Sequence, residues 1–191
     1  DLCEKALLKR LLARFHHVNT VLEVGCGTGH FTRWFSKTGM EAIGLDISRP
    51  MLEEARNLGG PVYLQGDALT LPIFSNSVDL VALITTLEFL SNPDQALAEA
   101  CRVARKGLVL GVLNAQSRVG RKYKRKGGPI WEMARFFTPD ELKRMILEIT
   151  GEGVRVIWRT TLWQFWPGGL PLPWGGFIGM AVKFLDVHGE E

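Results

Sequence analysis

Short apolar runs alternate along this chain with stretches in which apolar residues recur every three or four positions. Apolar runs bounded by turn residues predict buried strands, and the longer spacing predicts amphipathic helices. The first five predicted strands are Thr20–Val24, Glu41–Leu45, Val62–Gln65, Val78–Ile84 and Gly107–Leu113. Because helical patterns separate them, these strands should form a parallel sheet that helices cover on both faces.

Helix start and stop signals divide the segments between the strands. Ser48 with Pro50 and Thr138 with Pro139 are typical of helix starts, and Gly39 and Gly151 of helix ends. The predicted helices cover about residues 4–16, His30–Thr38, a segment from Ser48, Asp94–Arg105, and Thr138 to about Gly151. Two final strands, Val154–Thr160 and Gly179–Val187, should follow, while Asn114–Phe137 is predicted to be a basic loop.

Composition limits the function classes. With 191 residues, 46% hydrophobic and 23% charged, the chain suits one domain over 1–191. It divides into an N-terminal helix (1–18), a core (19–113), a basic lid or loop (114–137) and a C-terminal helix with a strand pair (138–191). A net charge of +3 does not by itself favour a nucleic-acid partner.

The cysteines and the hydropathy of the chain indicate the cellular setting in which the protein is expected. The three cysteines are widely spaced and odd in number, so they predict neither a metal cluster nor a disulfide framework and favour a reducing, cytoplasmic setting. No apolar run reaches about 18 residues, so no integral membrane segment is expected.

A glycine-rich turn carries the strongest functional signal. Gly25, Gly27 and Gly29 follow the first strand and precede a helix, whose free N–H groups point at whatever lies above the turn. In the dinucleotide fingerprint G-x-G-x-x-G the third glycine would fall at His30. The spacing here is different, and an acid, Glu23, stands two residues before the first glycine.

This E-x-G-x-G-x-G pattern resembles the first motif of the class I S-adenosylmethionine-dependent methyltransferases. The resemblance implies a Rossmann-like α/β three-layer sandwich with a mostly parallel seven-stranded sheet, order 3-2-1-4-5-7-6, whose last strand is antiparallel. It implies S-adenosyl-L-methionine as cofactor and S-adenosyl-L-homocysteine as product. The loop residues Gly25, Cys26, Gly27 and Gly29 would contact the methionine part, and Glu23 would bias the site toward cationic groups.

Asp46 ends the second strand at the same sheet edge as the glycine loop. A carboxylate there can accept hydrogen bonds from both hydroxyls of a ribose, although it could instead cap the helix that begins near Ser48. By resemblance, Ile47 and Met51 would pack on the adenine ring.

The turn after the third strand resembles another element of the family. It contains Gly66, Asp67 and Ala68, and by resemblance Asp67 would bind the adenine amino group; the alternative is a surface turn. Asp79 lies at the opposite end of the sheet, at the start of strand four, which favours a structural role.

Thr85 and Glu88 leave strand four beside the glycine loop. The resemblance places this segment under the transferring methyl group, so Thr85 is a candidate cofactor contact. Glu88 is the ionisable residue nearby and is our candidate catalytic residue, as a general base or an amine ligand; a capping role is the alternative.

Two segments stay open to several interpretations. The basic run from Arg118 to Lys126 fits a solvated loop, a site for an acidic small substrate, or an RNA or DNA contact. The tryptophan-rich segment Trp158–Phe177 could wall an acceptor pocket, form a homodimer contact, touch a membrane surface, or fold back on its own domain.

The sequence therefore predicts a methyltransferase acting on a small-molecule or lipid-like acceptor, with no metal site. A non-catalytic module that binds the cofactor and scaffolds a partner is an alternative, as is an RNA-modifying methyltransferase. The glycine spacing and the turn around Asp67 speak against a nicotinamide-dependent reductase.

Overall fold

A computed structural model of the chain describes residues 2–126, 128, 133–162 and 166–185. The strands in these residues are β1 (Thr20–Val24), β2 (Glu41–Asp46), β3 (Val62–Gln65), β4 (Val78–Ile84), β5 (Ala104–Leu113), β6 (Val154–Leu162), β7 (Trp166–Leu170) and β8 (Phe177–Phe184). The α-helices are α1 (Leu2–Leu12), α2 (His30–Lys37), α3 (Arg49–Asn57), α4 (Pro93–Val103), α5 (Arg118–Lys126) and α6 (Pro139–Thr150). A 3-10 turn covers Leu87–Phe89.

The strands form one sheet in the order β3-β2-β1-β4-β5-β8-β6-β7. Strands β1 to β5 pair in parallel, and β8 runs antiparallel to both β5 and β6. This arrangement confirms the predicted order, with β8 and β6 in the places of the seventh and sixth predicted strands. The additional strand β7 pairs with β6 at the edge, and it lies between the two final strands that the sequence predicted.

Strand β4 lies between β1 and β5 inside the sheet, and every one of its residues is buried. A strand covered on both faces has a nearly continuous apolar sequence, and in β4 only Asp79 interrupts it, which explains why the sequence pattern located this strand well. On one face the core includes Leu97 of α4 and Ile146 of α6, and on the other it includes Leu7 of α1 and Phe35 of α2. Helices on both faces give the expected three layers.

Some predicted boundaries and one predicted loop were wrong. Helix α4 ends at Val103 and β5 begins at Ala104, three residues earlier than expected. Strand β8 covers Phe177–Phe184, so it begins two residues before the predicted Gly179 and ends before Leu185, while the predicted end at Val187 lies outside the described residues. Within the predicted basic loop, residues 118–126 form helix α5.

Helix α5 forms because a buried turn fixes its first residues. The hydroxyl of Ser117 accepts the N–H of Gly120 at 2.8 Å, and its carbonyl accepts the N–H of Arg121 at 3.1 Å. Ser117 in turn donates its hydroxyl hydrogen to the carbonyl of Asn114 at 2.8 Å. The charge density of the segment does not reveal this anchor, which depends on the turn after β5.

No helix in the described part of the chain combines the length and the apolar character that crossing a bilayer requires.

Asp79 has the structural role that its position predicted. Its carboxylate accepts the N–H of Asn19 at 2.8 Å and of Thr20 at 3.2 Å, while the hydroxyl of Thr20 accepts the N–H of Asp79 at 2.8 Å. Burial alone would raise the pKa of Asp79, but these hydrogen bonds and the nearby Lys106 ammonium outweigh it and lower the pKa. The ionised carboxylate therefore ties the start of β4 to the start of β1.

We expect Asp79→Asn to lower the free energy of unfolding at pH 7 by about 1–3 kcal/mol, because a charged acceptor is lost from a buried site. A depressed carboxyl pKa contributes stability that is present above the ordinary value of 3.8 and is lost as the pH falls through the folded value. The difference between wild type and variant, measured by denaturant unfolding, should therefore shrink in acid. Glu53→Gln is the control, since its ion pair with Arg49 is exposed and is worth about 0.3–0.5 kcal/mol. Equal effects of the two variants would contradict the assignment.

Candidate functional site

A cavity of about 670 Å³ lies at the carboxyl ends of β1 to β4. Ligands in open α/β sheets bind at this edge, and the volume is within the range of about 300–1,000 Å³ found for small-molecule sites. The lining residues are Gly25, Gly27, Leu45, Asp46, Ile47, Ser48, Met51, Gly66, Asp67, Ala68, Leu69, Thr85, Thr86, Phe89, Leu90 and Ser91.

The glycine loop forms the floor of this cavity. A Cβ atom on Gly25 would lie 2.3 Å from Cγ2 of Thr86, and one on Gly29 would lie 2.3 Å from the hydroxyl of Tyr63. A Cβ on Gly27 would meet no atom within 4 Å, although its φ of +53° still favours glycine. Gly25 and Gly29 therefore permit close packing within the protein, whereas Gly27 leaves the backbone open for a ligand to approach.

Asp46 stands where the floor meets one wall. One carboxylate oxygen accepts the N–H of Gly27 at 2.7 Å, and the other accepts the N–H of Ser48 at 2.8 Å. A carboxylate offers about four acceptor sites, so each oxygen retains capacity for a ligand hydroxyl. The side chain of Ser48, the N-cap residue of α3, makes no capping bond of its own. Asp46 thus supports the turn before α3 and also faces the cavity.

Three apolar side chains remain exposed around the cavity. The exposed fractions are 66% for Ile47, 48% for Met51 and 46% for Phe89. Apolar side chains that converge on a concave site are typical of small-ligand binding, and they suit a flat ring. Ile47 and Met51 were predicted contacts, whereas Phe89 was not.

The turn after β3 supplies the second carboxylate of the cavity. One oxygen of Asp67 accepts the N–H of Leu69 at 2.9 Å, and the Asp67 carbonyl accepts the N–H of Thr70 at 3.2 Å. These bonds hold the turn so that Gly66, Asp67 and Ala68 all line the cavity. The turn is thus both locally hydrogen-bonded and part of the site.

The end of β4 has a strained backbone at the cavity. Thr85 is exposed and has a φ of +51°, which is rare for a residue other than glycine and costs on the order of 1–3 kcal/mol. Its N–H donates to the carbonyl of Gly111 at 2.7 Å, which helps to hold it. The buried hydroxyl of Thr86 lies 3.0 Å from the carbonyl of Val24 and so connects the end of β4 to the glycine loop.

Three of the predicted cofactor residues do not line the cavity: Glu23, Cys26 and Gly29. Glu23 is 2% exposed and accepts the hydroxyl hydrogen of Thr32 beneath the loop. Desolvation raises the pKa of Glu23 to about 8, outweighing that hydrogen bond. At neutral pH the carboxyl is therefore mainly protonated, and it acts on the site through the packing of the loop.

The candidate catalytic residue Glu88 also lies outside the cavity lining. It is 1% exposed, and its Oε1 accepts the N–H of Leu113 at 2.7 Å, while its carbonyl accepts the N–H of Arg135 at 2.8 Å. Its Oε2 is buried without a hydrogen-bond partner among the described residues, and desolvation raises the pKa to about 7. Glu88 joins the 3-10 turn, the end of β5 and the segment before α6.

Sequence reasoning missed the cavity residues Leu45, Ser48, Leu69, Thr86, Phe89, Leu90 and Ser91. Most of them adjoin predicted contacts, so extending each predicted site by one or two residues would have found them. Phe89 directly follows the predicted Glu88, but nothing in the segment Leu87–Leu90 distinguished Phe89 from its buried apolar neighbour Leu87.

The tryptophan-rich segment lies away from the cavity where it is described. Trp158 packs against the main core, and Phe177 is 2% exposed, so this part folds back on the sheet. Trp174 is 59% exposed. Trp163 and Phe165 lie outside the described residues.

Comparison with known proteins places this geometry in a family. A family model described as a methyltransferase domain matches residues 22–111. The solved structure of a S-adenosylmethionine-dependent methyltransferase, "possible histamine N-methyltransferase", from Thermotoga maritima is 27% identical, with a TM-score of 0.77, and the match covers 95% of this chain and 89% of that one.

Curated relatives extend the comparison. A malonyl-[acyl-carrier protein] O-methyltransferase of Pectobacterium atrosepticum is 36% identical over 105 residues, covering 53% of this chain and 42% of that protein. An uncharacterised protein of Methanocaldococcus jannaschii is 30% identical over 139 residues, covering 70% of this chain and 65% of that protein. The match therefore spans less than half the length of the malonyl methyltransferase.

We expect Glu23→Gln to gain stability relative to wild type as the pH rises from 4.5 to about 8. A buried carboxyl with a raised pKa contributes stability below its ordinary value of 4.5, and that contribution is lost as the pH rises through the folded value. The neutral amide does not titrate, so the difference should grow by up to about 1.4 kcal/mol per pH unit. Denaturant unfolding of both proteins between pH 5 and 9 measures it.

Glu88→Gln is the matched comparison for this titration. The stability of Glu88→Gln relative to wild type should stop rising above about pH 7, the pKa of the Glu88 carboxyl. The stability of Glu23→Gln relative to wild type should continue to rise to about pH 8. A difference between Glu23→Gln and wild type that stays constant over this range would show that Glu23 is not a buried neutral acid.

Proposed function

This chain belongs to the class I S-adenosylmethionine-dependent methyltransferases, and we propose that it transfers the cofactor's methyl group to a small-molecule acceptor. One observation carries the proposal. A single cavity combines an open backbone at Gly27, the carboxylates of Asp46 and Asp67, and exposed apolar side chains. These groups match the methionine part, the ribose and the adenine of the cofactor.

The residues present fit each part of the cofactor. Asp46 would accept hydrogen bonds from the ribose hydroxyls, since both of its oxygens keep acceptor capacity beside the bonds to the loop. Asp67 would accept from the adenine amino group, and Ile47 and Met51 would pack on the ring. Gly27 would allow the methionine part to lie against the backbone.

Positioning is the main task that this chemistry leaves to the protein. S-adenosylmethionine, when bound, supplies a methyl group that its sulfonium already activates. The protein must hold the acceptor in line with that group and exclude water, and alignment of this kind can contribute up to about 7–11 kcal/mol. The backbone at Thr85 is suited to this purpose, because its hydrogen bond to Gly111 supports the positive φ beside the glycine loop.

A compact acceptor is supported by the relatives and by the shape of the site. One relative is named for a malonyl group attached to a carrier protein, and another is named as a possible histamine N-methyltransferase, so in both names the methylated group itself is small. The cavity continues past Phe89 to Leu90 and Ser91, which gives an acceptor a mainly apolar wall. A role for Glu88 as base, a dimer through the tryptophan-rich segment, and a cytoplasmic location suggested by three free cysteines all stay predictions.

RNA modification is the second candidate, because helix α5 presents one strongly basic side. Arg118, Arg121, Lys122 and Arg125 follow the spacing i, i+3, i+4 and i+7, and all four are exposed. An RNA substrate would bind there with an affinity that falls steeply with salt. An anionic small acceptor or plain solvation would also account for this surface.

Thermal unfolding with S-adenosylhomocysteine, S-adenosylmethionine and NADH in parallel tests the cofactor. A ligand at about 100 times its dissociation constant stabilises by about 2.7 kcal/mol, which raises the melting temperature of a domain of this size by several degrees. A shift with NADH alone would overturn the proposal. Release of S-adenosylhomocysteine with small acceptors, compared with structured RNA, then decides between the two candidate functions.

Asp46→Ala should weaken binding of S-adenosylhomocysteine by about 1.5–3 kcal/mol, because it removes charged hydrogen bonds to the ribose. Isothermal titration measures this change. Asp94→Ala removes a carboxylate outside the cavity and is the control, with unchanged affinity expected. Because Asp46 also accepts loop N–H groups, the melting temperature without ligand should be compared for both variants. An unchanged affinity in Asp46→Ala would contradict the proposal that Asp46 binds the ribose.

A further inference from the structure

A second groove, of about 300 Å³, lies toward the opposite end of the sheet from the cofactor cavity. Its lining consists of Ala13, Arg14, His16, Arg155, Ile157, Ala181 and Lys183. Lys183 pairs with Gly107, six residues before the carboxyl end of β5. At about 3.3 Å per residue the groove is on the order of 20 Å from that edge. It is thus separate from the site described above.

Three permanent cations converge on this groove. Arg155 of β6 stands directly opposite Lys183 of β8 in the antiparallel pair, and Arg14 approaches from the turn after α1. Like charges placed directly opposite each other destabilise a sheet. Among the residues that the structure describes, no carboxylate forms an ion pair with any of these three. The fold therefore keeps a repulsion that a bound anion would relieve.

The positive field extends along the same face of β6. Arg159 lies two residues beyond Ile157, so its side chain is on the same face as Arg155. Desolvation lowers the pKa of Arg159, and the charges of Arg10 and Arg14 lower it further. The floor between the cations is apolar, because Ile157 pairs with Ala181.

We propose that this groove is a second binding site, which takes a small ligand carrying two or more linked phosphate groups. A single carboxylate would neutralise one of the three cations, whereas a polyphosphate can contact several of them at once. Guanidinium groups bind phosphate oxygens in pairs, and the groove holds two arginines beside the lysine ammonium. The concave shape and small volume favour a compact ligand over an extended strand of nucleic acid.

Isothermal titration with inorganic pyrophosphate at constant ionic strength tests the proposal. S-adenosylhomocysteine is present at saturation, so that the cofactor cavity is occupied. Wild type should bind pyrophosphate saturably, and the double variant Arg155→Gln/Lys183→Gln should bind at least tenfold more weakly. The double variant should still bind S-adenosylhomocysteine normally, which separates failure of this proposal from failure of the proposed function.

Lys143→Gln/Arg144→Gln on α6 is the matched control, since it also removes one lysine and one arginine, both exposed and outside the groove and the basic side of α5. It should keep the affinity of wild type for pyrophosphate. The same affinity in the groove variant as in wild type, or an equal loss in the two double variants, would overturn the proposal. So would an absence of saturable binding to wild type.

A short single-stranded RNA without a terminal phosphate distinguishes the source of the phosphates. It should bind more weakly than pyrophosphate at the same ionic strength. RNA binding that depends on Arg155 and Lys183, with no binding of pyrophosphate, would replace the small ligand with a nucleic acid and refute the proposal. The thermal stability of the groove variant without ligand should equal or exceed that of wild type, because one like-charge pair is gone.

Discussion

Four backbone N–H groups from two turns converge on the last two residues of β2. Gly25 and Cys26 donate to the carbonyl of Leu45 at 2.7 and 3.0 Å, and Gly27 and Ser48 donate to the carboxylate of Asp46 at 2.7 and 2.8 Å. The turn after β1 and the turn after β2 are therefore held by the same short segment. Because Gly27 forms the floor of the cavity and Ser48 part of a wall, the shape of the site depends on these bonds.

This arrangement favours a site whose loop is already held in place when the cofactor binds. Two of the four donors are satisfied by a charged acceptor, and such bonds are stronger than those between neutral groups. A ligand that then uses the remaining acceptor capacity of Asp46 does not have to order the loop, and avoiding that entropy loss favours binding. Glu23 contributes from below: as a buried acid, mainly protonated at neutral pH, it fills space and bonds to Thr32 without placing a charge under the loop.

The features that could be predicted from the sequence are those that depend on each residue's own chemistry and its neighbours along the chain. The fully buried β4 is apolar at every position except Asp79, and the close packing of Gly25 and Gly29 needs residues without a Cβ atom. Helix α5 was not predicted from the sequence. Closely spaced like charges disfavour a helix, and the hydrogen bonds of Ser117 that begin this helix depend on the turn after β5. The exposure of Phe89 and the burial of Glu88 likewise depend on how the 3-10 turn meets β5, which no local pattern encodes.

The charges of the two sites are separated along the strands, and this separation bears on how the sites can interact. Carboxylates line the cavity edge, where the cofactor would bring a cationic sulfonium, while Arg14, Arg155 and Lys183 gather toward the other end of the sheet. At physiological ionic strength exposed charges are screened over about 8 Å, less than half of the separation of about 20 Å. An anion in the groove would therefore change the cofactor affinity little through its field alone. One physical connection between the two ends of the sheet is the pair β8 and β5, whose backbones are joined from Gly107 to Leu113.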